Sequence, residues 1–296
     1  MAYELEFHDD PNAFLVAAEP LLAAEPVRCT VVASVTARYA GGGGTPEAGA
    51  PARWWVVVRD EDGRPVGAAM RTAPMAPYPP YLAAMPEEAA RQLARAVHER
   101  GERVEVVNGY VPAIDEFVAE TVSLTGGRAS ETERTTLYEV TDLVEPTTVP
   151  GRLRIARPDE VDLVQEWFDA FGPDASEQAG RADPHTAIET RETTGLRIAA
   201  GDVWLWEVDG TPVGVTAFNP PSFGVARVGP VYTPREHRGR GYAAAGVAAI
   251  TRRLLNEGAR VCLFADEQNP TSTGVYVRLG YRPLAVTGGL RIDRAG

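Results

Sequence analysis

Lysine is missing altogether: every one of the 29 Lys-or-Arg positions is an arginine. Any mechanism that runs through a lysine amine, as base or as Schiff-base former, is thereby excluded. Cysteine is nearly as scarce. Cys29 and Cys262 each sit in an apolar run, with no second Cys or His at metal-ligand spacing. The sequence therefore predicts two buried free thiols, no metal centre and a reducing compartment. No apolar run approaches membrane-spanning length, and the opening Met1-Ala2-Tyr3-Glu4-Leu5-Glu6 has no signal-like apolar core. Both features predict a cytoplasmic protein with no membrane partner. Positive charge is in deficit as well. A formal net charge of −12 argues against nucleic acid or an anionic lipid surface as partner and suits a cationic one.

What is present is enough apolar residue for more than one core, since 296 residues are comfortable for two domains. Strand and helix patterns alternate along the whole chain. A helix is expected over 11–25, interrupted at Pro20, and a mobile Gly-rich loop over Gly41–Pro51. A hairpin follows, Trp54–Arg59 and Val66–Met70, and then a helix from Pro86 to about Arg100. A strand at Arg103–Val107, a helix at Pro112–Leu124 and a strand at Thr135–Val140 complete the first half. Leu143–Gly151, with Pro146 and Pro150, is the best linker.

The second half repeats the plan. A helix from Pro158-Asp159 through Phe171 is followed by one from about Asp183-Pro184 to Gly195. Then come a hairpin at Val203–Val208 and Val213–Phe218, and a strand at Val225–Tyr232. A helix at Gly241–Glu257, a strand at Val261–Asp266, a helix at Thr271–Leu279 and a strand at Pro283–Val286 end the series, with Leu290–Ile292 as a further short strand. Asp62-Gly63-Arg64-Pro65-Val66-Gly67 returns almost unchanged as Asp209-Gly210-Thr211-Pro212-Val213-Gly214 at the same hairpin. Such internal similarity reads as duplication. The expectation is two α/β domains, 1–145 and 151–296, each a mixed central sheet covered by helices on both faces.

Chemistry concentrates where the strand Val225–Tyr232 leads through Thr233-Pro234-Arg235-Glu236-His237-Arg238-Gly239-Arg240-Gly241 into the helix beginning Tyr242-Ala243. Glycines let a backbone approach an anion, and the first turn of a helix offers unpaired N–H groups at a positive dipole end. The stretch is neither G-x-x-x-x-G-K-[ST] nor G-x-G-x-x-G. It does match, as Arg238-x-x-Gly241-x-Ala243, a pattern that resembles the R/Q-x-x-G-x-G/A signature of the GNAT superfamily of acetyl-CoA-dependent acyltransferases. Further on, Asn269, Tyr276 and Gly280-Tyr281 stand in the order of that family's later motif.

The resemblance implies an acetyl-CoA site in the C-terminal half, with no metal. Backbone N–H groups from Gly239 through Arg240, Gly241 and Tyr242 to Ala243 would bind the diphosphate, helped by the Arg238 and Arg240 side chains. The strand Val225–Tyr232 would splay from Val261–Asp266 and pair with the pantetheine arm, Pro230 marking the break. Val231 or Tyr232 would donate an N–H to the thioester oxygen, and Tyr276 would be the general acid for the departing thiolate. Asn269 would bond pantetheine amides or simply cap its helix. The acceptor implied is an amine of a small molecule or peptide. No base is named. Glu207, Glu189 and His185 lie on elements expected near the acceptor pocket, and each reads first as a surface residue. His237 shapes the turn, while Trp204 and Trp206 fill core. Two other readings stay open: a non-catalytic acyl-CoA-binding regulatory module, and an acyltransferase using a hydroxyl acceptor or a longer acyl chain.

The N-terminal half lacks the pattern. Its corresponding helix opens Pro86-Glu87-Glu88, whose carboxylates satisfy the dipole themselves and repel a diphosphate. Val122 stands where Tyr276 does. This half is expected to keep the fold, to have lost the cofactor, and to wall part of the acceptor site.

Overall fold

The computed structural model describes residues 3–42, 49–180 and 189–293. In chain order these form β1 (Glu4–His8), α1 (Pro11–Ala24), α2 (Thr30–Ala40), β2 (Trp54–Arg59), β3 (Pro65–Arg71), β4 (Tyr81–Leu82), α3 (Glu87–Glu99), β5 (Val106–Tyr110), α4 (Ala113–Thr125) and β6 (Arg128–Val140). The order then recurs as β7 (Arg152–Ile155), α5 (Val161–Gln178), α6 (Arg191–Ala200), β8 (Val203–Val208), β9 (Thr211–Ser222), β10 (Val225–Tyr232), α7 (Tyr242–Asn256), β11 (Arg260–Asp266), α8 (Pro270–Arg278) and β12 (Tyr281–Asp293). Most of the Gly41–Pro51 stretch and the expected helix start at Asp183-Pro184 lie outside the described residues.

Several elements are longer or more continuous than expected. Helix α1 continues through Pro20, held at its start by Asp10, which accepts from the N–H groups of Asn12 and Ala13 at 3.2 Å each. Helix α5 does not stop at Phe171 but carries on through Gly172-Pro173 to Gln178. The last strand is one continuous run, Tyr281–Asp293, instead of two short pieces.

The chain divides into two compact units. The first takes residues up to Thr135 together with those from Ala285 onward, and the second takes Thr136–Leu284. The units therefore differ from the expected spans 1–145 and 151–296 at both edges. The cause is strand pairing. Residues Thr287–Arg291 of β12 pair antiparallel with Tyr110–Val106 of β5, and Ile292 is buried in the first unit's core beside Val104 and Val107. Conversely the end of β6 belongs to the second unit, where Thr136 Oγ1 bonds Glu267 at 2.6 Å. Each copy of the repeat thus gives its final strand segment to the other unit.

The first unit's core gathers Trp54, Val56 and Val58 of β2 against Ala90, Leu93 and Val97 of α3 and Phe117 of α4. The second holds two clusters. One packs Val247, Ile250 and Leu254 of α7 on Ala226, Val228, Val261 and Leu263. The other packs Val164 and Phe168 of α5 on Val203, Leu205, Val215 and Ala217. The hairpin of the second unit turns as its sequence requires: Asp209 and Gly210 have φ of 48° and 81°, the left-handed pair that a two-residue turn needs. Cys29 and Cys262 are buried and unbridged, and burial pushes the Cys29 thiol up to about 12. Among the described residues no helix is long and apolar enough to cross a membrane, and no group of three His, Cys, Asp or Glu residues could hold a metal.

One glycine is decisive for the second unit. Gly280, between α8 and β12, has φ +92°, and a Cβ there would lie 1.8 Å from the Asp142 carbonyl oxygen. The backbones also bond directly, Val144 N–H to Leu279 O at 3.0 Å. Gly280→Ala must adopt a conformation L-residues avoid and push a backbone aside, so a loss of roughly 2–4 kcal/mol is expected in denaturant unfolding. A variant as stable as the parent would contradict this packing.

Candidate active site

The site begins where β10 leaves its neighbour. The parallel ladder with β11 runs from Val225 opposite Arg260 to Val228 opposite Leu263 and carries no pair beyond. On its other edge β10 stays paired with β9, but Val228 faces Phe218 while Val231 faces Thr216. Three steps on β10 against two on β9 make a one-residue bulge at Gly229-Pro230, where proline has no N–H to give the ladder. Residues 229–232 therefore lie along an opened edge. The expected break sits at the expected proline.

Beyond Tyr232 a 3-10 turn, Arg235–His237, leads to Gly239 and Gly241, with φ of +76° and +82°. Gly241 is the N-cap of α7, makes no side-chain cap, and no acidic residue occupies the helix's first turn. The first intrahelical bond is Ala245 N–H to Gly241 O. The N–H groups of Tyr242, Ala243 and Ala244 are thus left to an outside acceptor at the positive end of a 15-residue helix, which fits a diphosphate. Gly239, Arg240 and Gly241 are exposed. The equivalent start in the first unit is closed. Glu87 and Glu88 occupy the first turn of α3, and Glu88 is held below the usual carboxylate range by hydrogen bonds from Arg91 and Arg95. Leu82 lies so close on Gly109 that a Cβ there would be 2.1 Å from its carbonyl oxygen. Both residues of β4 are paired with β5, Tyr81 with Asn108 and Leu82 with Gly109.

The two cradle arginines are already engaged. Arg238 donates to the Thr233 carbonyl at 2.9 Å and to Asp174 Oδ2 at 2.5 Å, so its guanidinium turns back beneath the loop. Arg240 reaches the Glu236 carbonyl at 3.4 Å. Asp174, on the unforeseen last turns of α5, also accepts from Tyr232 Oη at 2.8 Å and Arg235 Nε at 3.0 Å. Burial alone would raise its carboxyl, but hydrogen bonds from Arg235, Tyr232 and Arg238 outweigh that and hold it at about 2. Burial and the Asp174 bond together push the Tyr232 phenol up to about 12.

Tyr276 lies on α8, half-buried, its ring edge-on to Tyr281 at 6.1 Å. Its hydroxyl has no hydrogen-bond partner among the described residues, and burial pushes it up to about 12. Asn269 is the N-cap of α8, accepting from Ser272 N–H at 3.1 Å and donating to Gln178 at 3.0 Å. Its side-chain oxygen is spent on the cap. Val231 is half-buried at the opened edge.

The three candidate bases fare differently. Glu207 is buried between Arg152 at 2.8 Å and Arg154 at 2.5 Å, a structural ion pair and not a surface residue. Glu189 is paired with Arg197, which also donates to the carbonyls of Phe218 and Gly229 at 2.9 and 3.4 Å. His185 lies outside the described residues. His237 belongs to the 3-10 turn, donating its N–H to Pro234 O. Trp204 and Trp206 bond the Gly201 and Pro150 carbonyls at 2.9 Å each.

Beside the cradle is a cavity of about 450 Å3, walled by Pro146, Thr147 and Val149 on one side and by Gly241, Val275 and Arg278 on the other. Part of the expected linker thus lies beside the cradle, though most of 143–151 is exposed. A Cβ on Gly241 would come within 2.9 Å of Val149 Cγ1.

Residues 162–281 match the family model described as the Acetyltransferase (GNAT) family. No curated protein matches the chain in sequence. Solved structures do match in shape over nearly its whole length. A GCN5-related N-acetyltransferase from Sphaerobacter thermophilus superposes with a TM-score of 0.57 at 17% identity, covering 99% of this chain and 96% of its own. A GNAT-family acetyltransferase from Colwellia psychrerythraea gives 0.56 at 10%, covering 98% and 100%. A tandem GNAT protein from the clavulanic acid biosynthesis pathway gives 0.56 at 16%, covering 99% of both chains. At such identities the likeness is one of fold. The family match is carried by residues 162–281, which lie within the second unit, so that unit contains the stretch similar to a GNAT acetyltransferase domain.

Proposed function

We propose that the chain transfers an acetyl group from acetyl-CoA directly to an amine of a small molecule or peptide, on its second unit. The observation that carries this reading is the conjunction of an opened edge at 229–232 with an uncapped, acid-free helix start at Gly241–Ala244. The N–H groups of that first turn hold the diphosphate, and the N–H of Val231 or Tyr232 donates to the thioester oxygen as charge develops there. The amine nitrogen attacks the carbonyl carbon and the carbon–sulfur bond breaks. Tyr276 gives its proton to the departing sulfur and is reprotonated at the expense of the proton the amine loses. Asn269 orders the start of α8 and so the approach of Tyr276. The first unit is a degenerate GNAT-like copy without a cradle.

Calorimetry with acetyl-CoA, followed by free-thiol release against a panel of amines, tests this. Micromolar to submillimolar binding and amine-dependent thiol release are expected. Binding without release toward any amine would favour the regulatory acyl-CoA-binding module, and release only with alcohols would reassign the acceptor. Absence of binding would sink the reading.

A further inference from the structure

We propose that Asp174 is the positioning residue of the cradle. By gathering Tyr232, Arg235 and Arg238 on one carboxylate it fixes loop 233–241 in the form that receives the diphosphate. Arg238 accordingly serves the site through Asp174 and not by touching the ligand. This rests on the cradle reading above.

The geometry is specific. Asp174 is 7% exposed, yet it takes hydrogen bonds from three residues spread over the end of β10, the 3-10 turn and the start of the glycine motif. Its two oxygens divide the work, Oδ1 serving Arg235 and Oδ2 serving Tyr232 and Arg238. Arg238 is further tied to Thr233 O, so the loop is laced to α5 at one end and to itself across its middle. Four residues on, Gln178 bonds Asn269 at the start of α8. The last turns of α5 thereby touch both elements that flank the opened edge. A glycine-containing loop left free would lose conformational entropy each time it closed on an anion, and a preformed loop avoids that cost. A charged acceptor shared by two guanidinium groups is the strongest tether available for this purpose.

The test is a double-mutant cycle on acetyl-CoA binding by calorimetry, using D174N, R238Q and the pair, with thermal melts alongside. D174N is expected to weaken binding about tenfold and to raise KM for acetyl-CoA by a similar factor, with kcat moving less. R238Q in the D174N background is expected to add less than about twofold, because both changes cut one tether. D174E, which keeps the charge, is expected to recover part of the loss. Wild-type or tighter binding by D174N would overturn the proposal, since it would mean that Asp174 merely withholds two cations from the ligand. So would additive effects, which would place Arg238 on the ligand itself. If D174N fails to melt cooperatively, R235Q removes one solvent-side donor in its place, with about threefold weaker binding expected and an unchanged affinity overturning the assignment. A wild type that binds no acetyl-CoA would take down the cradle reading and this one together, whereas D174N at parental affinity takes down this one alone.

Discussion

Replacing Tyr276 by phenylalanine is expected to lower kcat by about 10²- to 10³-fold, the usual worth of a placed general acid, while leaving acetyl-CoA affinity within about twofold. The exchange removes one oxygen and keeps the ring, so the edge-on packing against Tyr281 survives. Because the hydroxyl has no protein partner among the described residues, stability should hardly move. The pH dependence has a definite sign. Burial raises this phenol to about 12, and an acid with a raised pKa keeps its proton at every pH below that value. Tyr276 therefore remains able to donate between pH 6 and pH 10, and no alkaline fall in kcat over that span should arise from it. Steady-state thiol release across pH, with calorimetry on the variant, checks both statements. Turnover equal to the parent's would strip Tyr276 of the role.

Deleting the residues from Ala285 onward should be more damaging to the first unit than to the one that precedes them in sequence. The deletion removes five cross-strand pairs, Thr287–Arg291 with Val106–Tyr110, and the Ile292 N–H bond to Glu105 O. It also empties the place of Ile292, 3% exposed, and of Leu290 packed on the same core. Loss of two such side chains costs about 2–5 kcal/mol each, and each lost backbone bond about 1 kcal/mol. Together these rival the whole stability of an ordinary domain, roughly 5–15 kcal/mol. The truncated chain is expected to lose its cooperative unfolding in the first unit and to aggregate through the bared edge of β5. Hydrogen exchange read at Val56–Val58 and Val107 reports the outcome. Protection there equal to the full chain's would refute the assignment of β12.

Much of the second unit was legible in its sequence because local rules and long-range packing agree there. The limits of β10 were readable from Val225 to Tyr232, Pro230 announced the break, and Gly241 announced a helix start. Asp174 was invisible for an equally local reason. Gly172-Pro173 reads as a helix end, yet α5 continues, its Phe168 and Val164 packed on the sheet, and the residues past the proline carry the anchor. Burial overrode propensity. The exchange of final strands was unreadable for another reason: an alternating strand pattern states which face is buried but not which edge it joins. The closeness of Val149 to the start of the cradle helix was hidden by the two flanking prolines, whose composition suggests a linker.

The placement of β12 also sets an order in time. Val106 meets Arg291, so β5 waits, as the chain is made, until Arg291 has left the ribosome. At about 5–20 residues per second this interval is roughly 10–40 s. Throughout it the nascent first unit holds an unpaired strand edge beside a core short of Leu290 and Ile292. A chaperone that shields strand edges would find its substrate in that interval, and the second half of the duplication serves the first as its late-arriving final strand.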